Sequence, residues 1–250
     1  MRRNPYKRPL IDMQTDGQLR YLEIPTRLLG RLDADDEINL KKALRSFLEN
    51  YRIHNSTKYQ AAVHEAGHFV AIDKFGGGAW SADISGSRGG HDGWRGEAQG
   101  YGDFWDFTQQ VTSSRLTRLA KIFLAGPWAE HFIGGCRALN SPGEILAAQF
   151  LIAGAARLEG IAYDKHLDDT LSSVTAFLSE YEFQIEFVAD ALKRRRKILR
   201  RDRSIKTVLD SAHSHRTQSR PSIQFDDKFL KREIAYSLPI SSFLKNYCKV

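Results

Sequence analysis

The sequence predicts a mainly α domain that carries a small β-hairpin. Three observations lead there. Apolar residues recur at spacings of three and four through residues 36–51, 57–74, 111–134 and 167–200. Alternation of period two appears where Trp80, Ala82 and Ile84 interleave with Ser81, Asp83 and Ser85. That short run lies in residues 76–102, which hold ten of the 19 glycines, so it is bounded by turn-forming sequence on both sides.

Residues 1–34 are polar and interrupted by Pro5, Pro9 and Pro25, and read as an irregular arm with one short strand at residues 20–24. From residue 35 the pattern turns helical. Ile38, Leu40, Ala43, Leu44, Phe47, Leu48 and Tyr51 form a stripe, and Asp35 or Asp36 can cap its start. This helix is expected to pack on the next, residues 57–74. There Asn55 or Ser56 is the expected N-cap, with Tyr59, Val63, Ala66, Phe69 and Val70 as the buried stripe.

The second helix contains the most informative stretch of the chain, Ala62-Val63-His64-Glu65-Ala66-Gly67-His68-Phe69-Val70. Residues four apart on a helix share one face, about 6 Å apart along the axis. His64 and His68 can therefore aim two imidazole nitrogens at one point. Two neutral imidazoles suit a borderline-soft ion such as Zn2+, and a third protein ligand would leave the fourth position to water. Glu65 lies about 100° round the helix from His64, close enough to take a proton from that water. Gly67 costs about 1 kcal/mol relative to Ala in a helix interior, which predicts a close neighbour over it, with the element that brings the third ligand as the candidate.

Residues 93–99 are expected to pair with the strand around residue 82 as a hairpin. An exposed strand edge beside the histidines would accept an extended peptide through main-chain hydrogen bonds, and a plain surface loop fits the composition equally well. No Lys-Ser or Lys-Thr follows the glycines at phosphate-loop spacing. His91 and Asp92 read as a solvated turn rather than as metal ligands. Residues 111–134 form a helix that Gly126-Pro127 should break or kink. The next helix opens at Ser141-Pro142-Gly143-Glu144, and its apolar residues run nearly all round, which predicts a central position. A long helix follows over residues 167–200, capped by Asp168 or Asp169. It ends in the basic run of Lys193, Arg194, Arg195, Arg196 and Lys197, with Arg203 close behind. Residues 211–227 are polar, and residues 229–247 hold a last short helix. The expected division is an arm (1–34), a main domain (35–210) and a C-terminal loop and helix (211–250).

The 250 residues are 42% hydrophobic, enough for a sizeable core. The net charge of +7 favours acidic partners without establishing nucleic-acid binding. Two distant cysteines, Cys136 and Cys248, make no disulfide framework, which points to a reducing, cytoplasmic setting. The basic N-terminus lacks the apolar core of a signal peptide. No run is long and apolar enough to predict a membrane span.

The segment His64-Glu65-Ala66-Gly67-His68, with Phe69-Val70-Ala71, resembles the zinc site of the FtsH peptidase domain. Leu124-Ala125-Gly126 and then Ala129-Glu130 are similar to that family's segment of leucine, glycine, glycine, arginine, any residue, alanine and glutamate. Further on, the family has a polar turn, an aspartate that completes the zinc site, and an apolar helix. Glu144 stands where that aspartate is expected, eighty residues after His64. The resemblance spans residues 55–200. Pro127 replaces the arginine, His131 replaces a second acidic residue, and Glu144 replaces the aspartate. Neither the ATPase module nor the membrane anchor of FtsH is recognisable, so a free-standing peptidase-like domain is expected.

The resemblance implies a Zn2+ ion held by His64, His68 and Glu144, with Glu65 as general base. It implies a zinc-dependent metalloendopeptidase acting on flexible protein segments. Without a linked ATPase, either the substrates are flexible segments or a separate ATPase delivers them, and a homo-oligomer is conceivable because FtsH peptidase domains form rings. Glu144 has a second reading, as the N3 residue of a capping box begun by Ser141. Glu130 is the next candidate ligand, or else the acceptor of a hydrogen bond from a zinc-bound imidazole. A rival function is an inactive, peptidase-like adaptor that touches nucleic acid through residues 193–203. Nucleic acid is the less favoured partner, because no aromatics interleave the basic run and a solvated helix end explains it.

Overall fold

The computed structural model describes residues 34–35, 38–40, 42–43, 46, 56–86, 93–100, 111–136, 141–211 and 244. Residues 1–33 of the irregular arm, including its strand at residues 20–24, and the turn with His91 and Asp92 lie outside the described residues. Of the last predicted helix only Leu244 is described; it is helical and buried. The described residues between 34 and 46 are helical. Ala34 is already in the helix, so Asp35 lies inside it rather than capping it. Leu40 and Ala43 join the core, whereas Ile38 is 48% exposed and leaves the predicted stripe.

The histidine-bearing helix, α1 (Lys58–Phe75), begins one residue later than predicted. Thr57 is its N-cap, and Thr57 and Gln60 form a reciprocal capping box. Every residue from Ala61 to Ile72 is buried, so α1 is the central helix rather than one with a single apolar stripe. Small residues (Ala61, Ala62, Ala66, Gly67 and Ala71) let neighbours approach from all sides. Helix α2 (Ser113–Phe132) crosses over Gly67. A methyl there would stand 2.5 Å from the Ala125 carbonyl oxygen and 2.8 Å from the Ala129 Cβ. The close neighbour that Gly67 predicts is therefore present, but it is α2 and not the element that carries Glu144.

Helix α2 runs unbroken through Gly126-Pro127, so of the predicted break or kink the break does not occur. Proline removes one ladder hydrogen bond, but Leu124, Trp128 and Ala129 on either side are buried. Their packing holds the helix together across the gap. Helix α3 (Pro142–Glu159) starts where predicted and ends on Gly160 in the left-handed region, φ 66°. As expected, it is buried on nearly all sides from Ile145 to Ala156, apart from half-buried Ala147.

The strands β1 (Ala79–Gly86) and β2 (Trp94–Gly100) form the predicted antiparallel hairpin, with Ala82 opposite Ala98 and Asp83 opposite Glu97. The alternation fails at one end. A register shift between Ala79 and Ser81 puts Ala79 in the core and leaves Trp80 51% exposed.

Helix α4 (Tyr163–Arg195) starts before residue 167, with Ala162 as N-cap. Asp168 and Asp169 are thus exposed residues of its second turn, not caps. Its stripe of Leu171, Val174, Phe177, Leu178, Ile185, Val188 and Leu192 is buried as expected, with a local break at Tyr181 (φ −107°, ψ 16°). The basic run does not remain helical. Arg196 turns into the left-handed region (φ 67°), and β3 (Lys197–Leu199) then pairs with Ser81–Asp83 of β1. The sheet order is β2-β1-β3, antiparallel throughout. Helix α5 (Arg203–Asp210) follows. Arg200 ties this end to α1 by donating to Asp73 (2.6 Å) and Asp210 (2.5 Å). Helix α1 packs against α2, α4, β1 and β2, so its histidines face a wall built by several elements. No helix among the described residues is long and apolar enough to cross a membrane.

Candidate metal centre

His64 and His68 lie one turn apart on α1, with their Nε2 atoms 3.1 Å from each other. Glu144, in the first turn of α3, completes the group. Its Oε2 is 3.1 Å from His64 Nε2 and its Oε1 is 3.1 Å from His68 Nε2. The capping box predicted at this position does not form, because the Ser141 side chain makes no cap hydrogen bond. Glu144 turns to the imidazoles instead. The Ser141 hydroxyl lies 3.5 Å from His64 Nε2.

Both imidazoles are oriented from behind by α2. His64 Nδ1 donates to Glu130 Oε2 at 2.9 Å, and Glu130 also accepts from the Ser56 hydroxyl at 2.6 Å. His68 Nδ1 donates to the Ile122 carbonyl oxygen at 2.8 Å. A carbonyl can only accept, so the His68 proton sits on Nδ1 and the neutral ring presents its Nε2 lone pair forwards. Glu130 places the His64 proton in the same way. Glu130 is thus the partner of a candidate ligand and not a member of the ligand group, the second of its two predicted roles.

The donor set suits a divalent cation. Two nitrogen lone pairs and a carboxylate converge on one point, and all three donors can lie within 4.8 Å of one another. In a tetrahedral site with bonds of about 2.0–2.1 Å, neighbouring ligand atoms stand about 3.3–3.4 Å apart. The observed separations of 3.1 Å are close to that. The Glu144 Oε2 atom is buried against His64 Nε2 without a well-formed hydrogen bond among the described residues, as expected of an oxygen that shares a cation with that imidazole. The described residues hold this one group of three or more such side chains.

The charges follow from the same geometry. Burial works against charge on both imidazoles, but the Glu144 carboxylate and the hydrogen bonds outweigh it. The His64 pKa therefore lies well above the ordinary value, and that of His68 lies above it as well. Burial would raise the Glu144 pKa, yet His68 and His64 hold it well below the usual carboxylate range. Glu65 is 6% exposed, and burial pushes its pKa up to about 7 against the opposing pull of the two histidines.

Two glycines, neither of them predicted to lie against the candidate site, shape the centre. A Cβ on Gly126 would overlap the His68 ring, standing 2.6 Å from both Cδ2 and Cε1. A Cβ on Gly96 of β2 would collide with the Glu65 side chain, including Cδ at 2.9 Å. The signal for Gly126 was its pairing with Pro127 in a helix that nonetheless continues. Gly96 was lost among its neighbouring glycines.

A cleft of about 450 Å3 opens in front of the group. Glu65, His68 and Glu144 line it, together with Trp80, residues 96–100 of β2, and Phe123. The side of β2 turned away from β1 carries no strand among the described residues. Such an arrangement can hold an ion, expose it to a cleft and place a titratable carboxyl beside it. No family model matches the chain. No curated protein matches it either.

Proposed function

We propose that the chain is a zinc-dependent endopeptidase of the FtsH type, acting on flexible peptide segments. The observation that carries this reading is the convergence of Glu144 on the two imidazoles, beside a buried Glu65 and an open cleft. His64, His68 and Glu144 would hold the ion. Bound zinc supplies a Lewis acid that activates water and polarises the scissile carbonyl. Glu65 takes the proton of the attacking water and returns it to the departing amine nitrogen as the C–N bond breaks. Gly96 lies against Glu65 and limits where the carboxyl can point. The edge of β2 that carries no strand among the described residues offers main-chain groups to an extended peptide, and the cleft gives its side chains room.

Zinc content and casein cleavage, measured for the wild type and Glu65→Gln, test the proposal. Both proteins should hold zinc, and only the wild type should cleave. Zinc in both with cleavage by neither, even when a partner ATPase is supplied, would favour the adaptor. Absence of zinc from the wild type after metal loading would remove the centre altogether.

A further inference from the structure

At the end of β2 remote from Gly100, cations gather around two aromatic rings. Lys58 Nζ lies 5.1 Å from the centre of the Trp94 ring, and the Arg196 guanidinium lies 5.4 Å from it. Lys193 Nζ lies 5.5 Å from the centre of the ring of Tyr59, the residue that follows Lys58. Arg95 and Lys197 are exposed close by in sequence. None of these five cations has an ion pair among the described residues, whereas Arg195, Arg200 and Lys206 are each matched to an aspartate. Two elements bring these charges to a ring supplied by a third. Lys58 opens α1, Trp94 opens β2, and Lys193 and Arg196 close α4. The Trp94 amide donates to the Ser56 carbonyl at 3.1 Å, which fixes the start of β2 against the start of α1.

We propose that the Trp94 end of β2 is a subsite for acidic side chains of a peptide, formed by Lys58, Lys193 and Arg196 around Trp94 and Tyr59. The assignment rests on the peptidase reading for its role in cleavage. It rests on placement for its existence. Gly96 touches Glu65, and Trp94 is two residues further along the same strand, about 7 Å away. A peptide added to the β2 edge at Glu65 would carry its next few residues past Trp94. Glu97 is exposed on the cleft side of this point, so the preference for acid is confined to the Trp94 end. A single-stranded nucleic acid fits the surface less well. Its bases need open aromatic faces on which to stack, and here the cations lie over the rings.

The test uses two fluorescent peptides, identical except that a pair of aspartates in one is a pair of asparagines in the other. Binding is followed by anisotropy with the full-length, zinc-loaded Glu65→Gln protein, so no cleavage is needed. The aspartate peptide should bind about tenfold more tightly, and the advantage should shrink as salt is raised. Adding Lys58→Gln and Arg196→Gly should abolish the advantage and leave asparagine-peptide binding unchanged. Glycine suits position 196, where φ is 67°, and circular dichroism should show that the fold persists. Equal binding of the two peptides, or an advantage that survives both substitutions, overturns the subsite. Tighter binding of a single-stranded oligonucleotide, lost in the same variant, overturns it in favour of a nucleic-acid surface. If the advantage behaves as expected but the wild-type protein cleaves neither peptide, the acidic-peptide site stands and the peptidase reading falls.

Discussion

Gly126→Ala sets two physical effects against each other. In an exposed helix interior, alanine would stabilise by about 1 kcal/mol relative to glycine. At this position the new methyl carbon would stand 2.6 Å from two carbons of the His68 ring. Ordinary carbon contacts are about 3.5–4.0 Å, so the ring or α2 must move by about 1 Å. Overpacking of that kind costs about 1–3 kcal/mol, which exceeds the propensity gain. The greater effect falls on the ligand geometry. His68 is held between the Ile122 carbonyl at 2.8 Å and the other donors at 3.1 Å, and a ring displaced by about 1 Å cannot keep both contacts. A loss of about 10–100-fold in zinc affinity is expected, similar to the loss of a ligand's supporting partner. Competition with a chromophoric chelator measures the affinity, and denaturant unfolding of the metal-free protein measures the stability. A variant that is more stable than wild type and binds zinc equally well would refute the contact between Gly126 and His68.

Glu130→Gln keeps the shape of the side chain but weakens the acceptor for His64 Nδ1, and should lower zinc affinity about 10–100-fold by chelator competition with little change in far-ultraviolet circular dichroism. The metal-free protein should lose stability as pH rises from about 5 to 8, as read from denaturant midpoints. The folded-state pKa values of His64, His68 and Glu65 are raised, so their contribution is present below the unfolded values of 6.5 and 4.5 and fades above them. Glu144 has the opposite sign, so its contribution fades only as the pH falls below 4.5. Zinc binding near pH 6 should release protons, detectable by calorimetry in two buffers of different ionisation enthalpy. Release should diminish above the raised imidazole pKa values.

Much of the centre was legible because a helix fixes the relation between His64, Glu65 and His68 within a few residues. Gly67 likewise announced a close neighbour. Glu144 was harder to read. Its local sequence fits a helix cap, and only the fold brings it to the imidazoles. The supporting partners were legible unevenly. Glu130 could be nominated as a side chain, but the Ile122 carbonyl belongs to the backbone and any residue could provide it. The exposure of Trp80 depends on a bulge that alternation does not reveal. Strand β3 is three residues inside a basic run, and what makes it a strand is the partner β1. Tertiary context determined each of these features.

The electrostatics of the centre give an independent reason to expect a cation. Glu65, Glu130 and Glu144 converge on two histidines in a largely buried space, with Glu65 and Glu130 only 6% and 2% exposed. Burying carboxylates without compensation is costly. The metal-free chain relieves the cost by binding protons, which is why both imidazoles and Glu65 have raised pKa values. A divalent ion compensates the same carboxylates without protons, and it bonds to the Nε2 lone pairs that protonation would otherwise occupy. Metal and protons therefore compete for one site, and the geometry that raises the imidazole pKa values is the geometry that suits a cation.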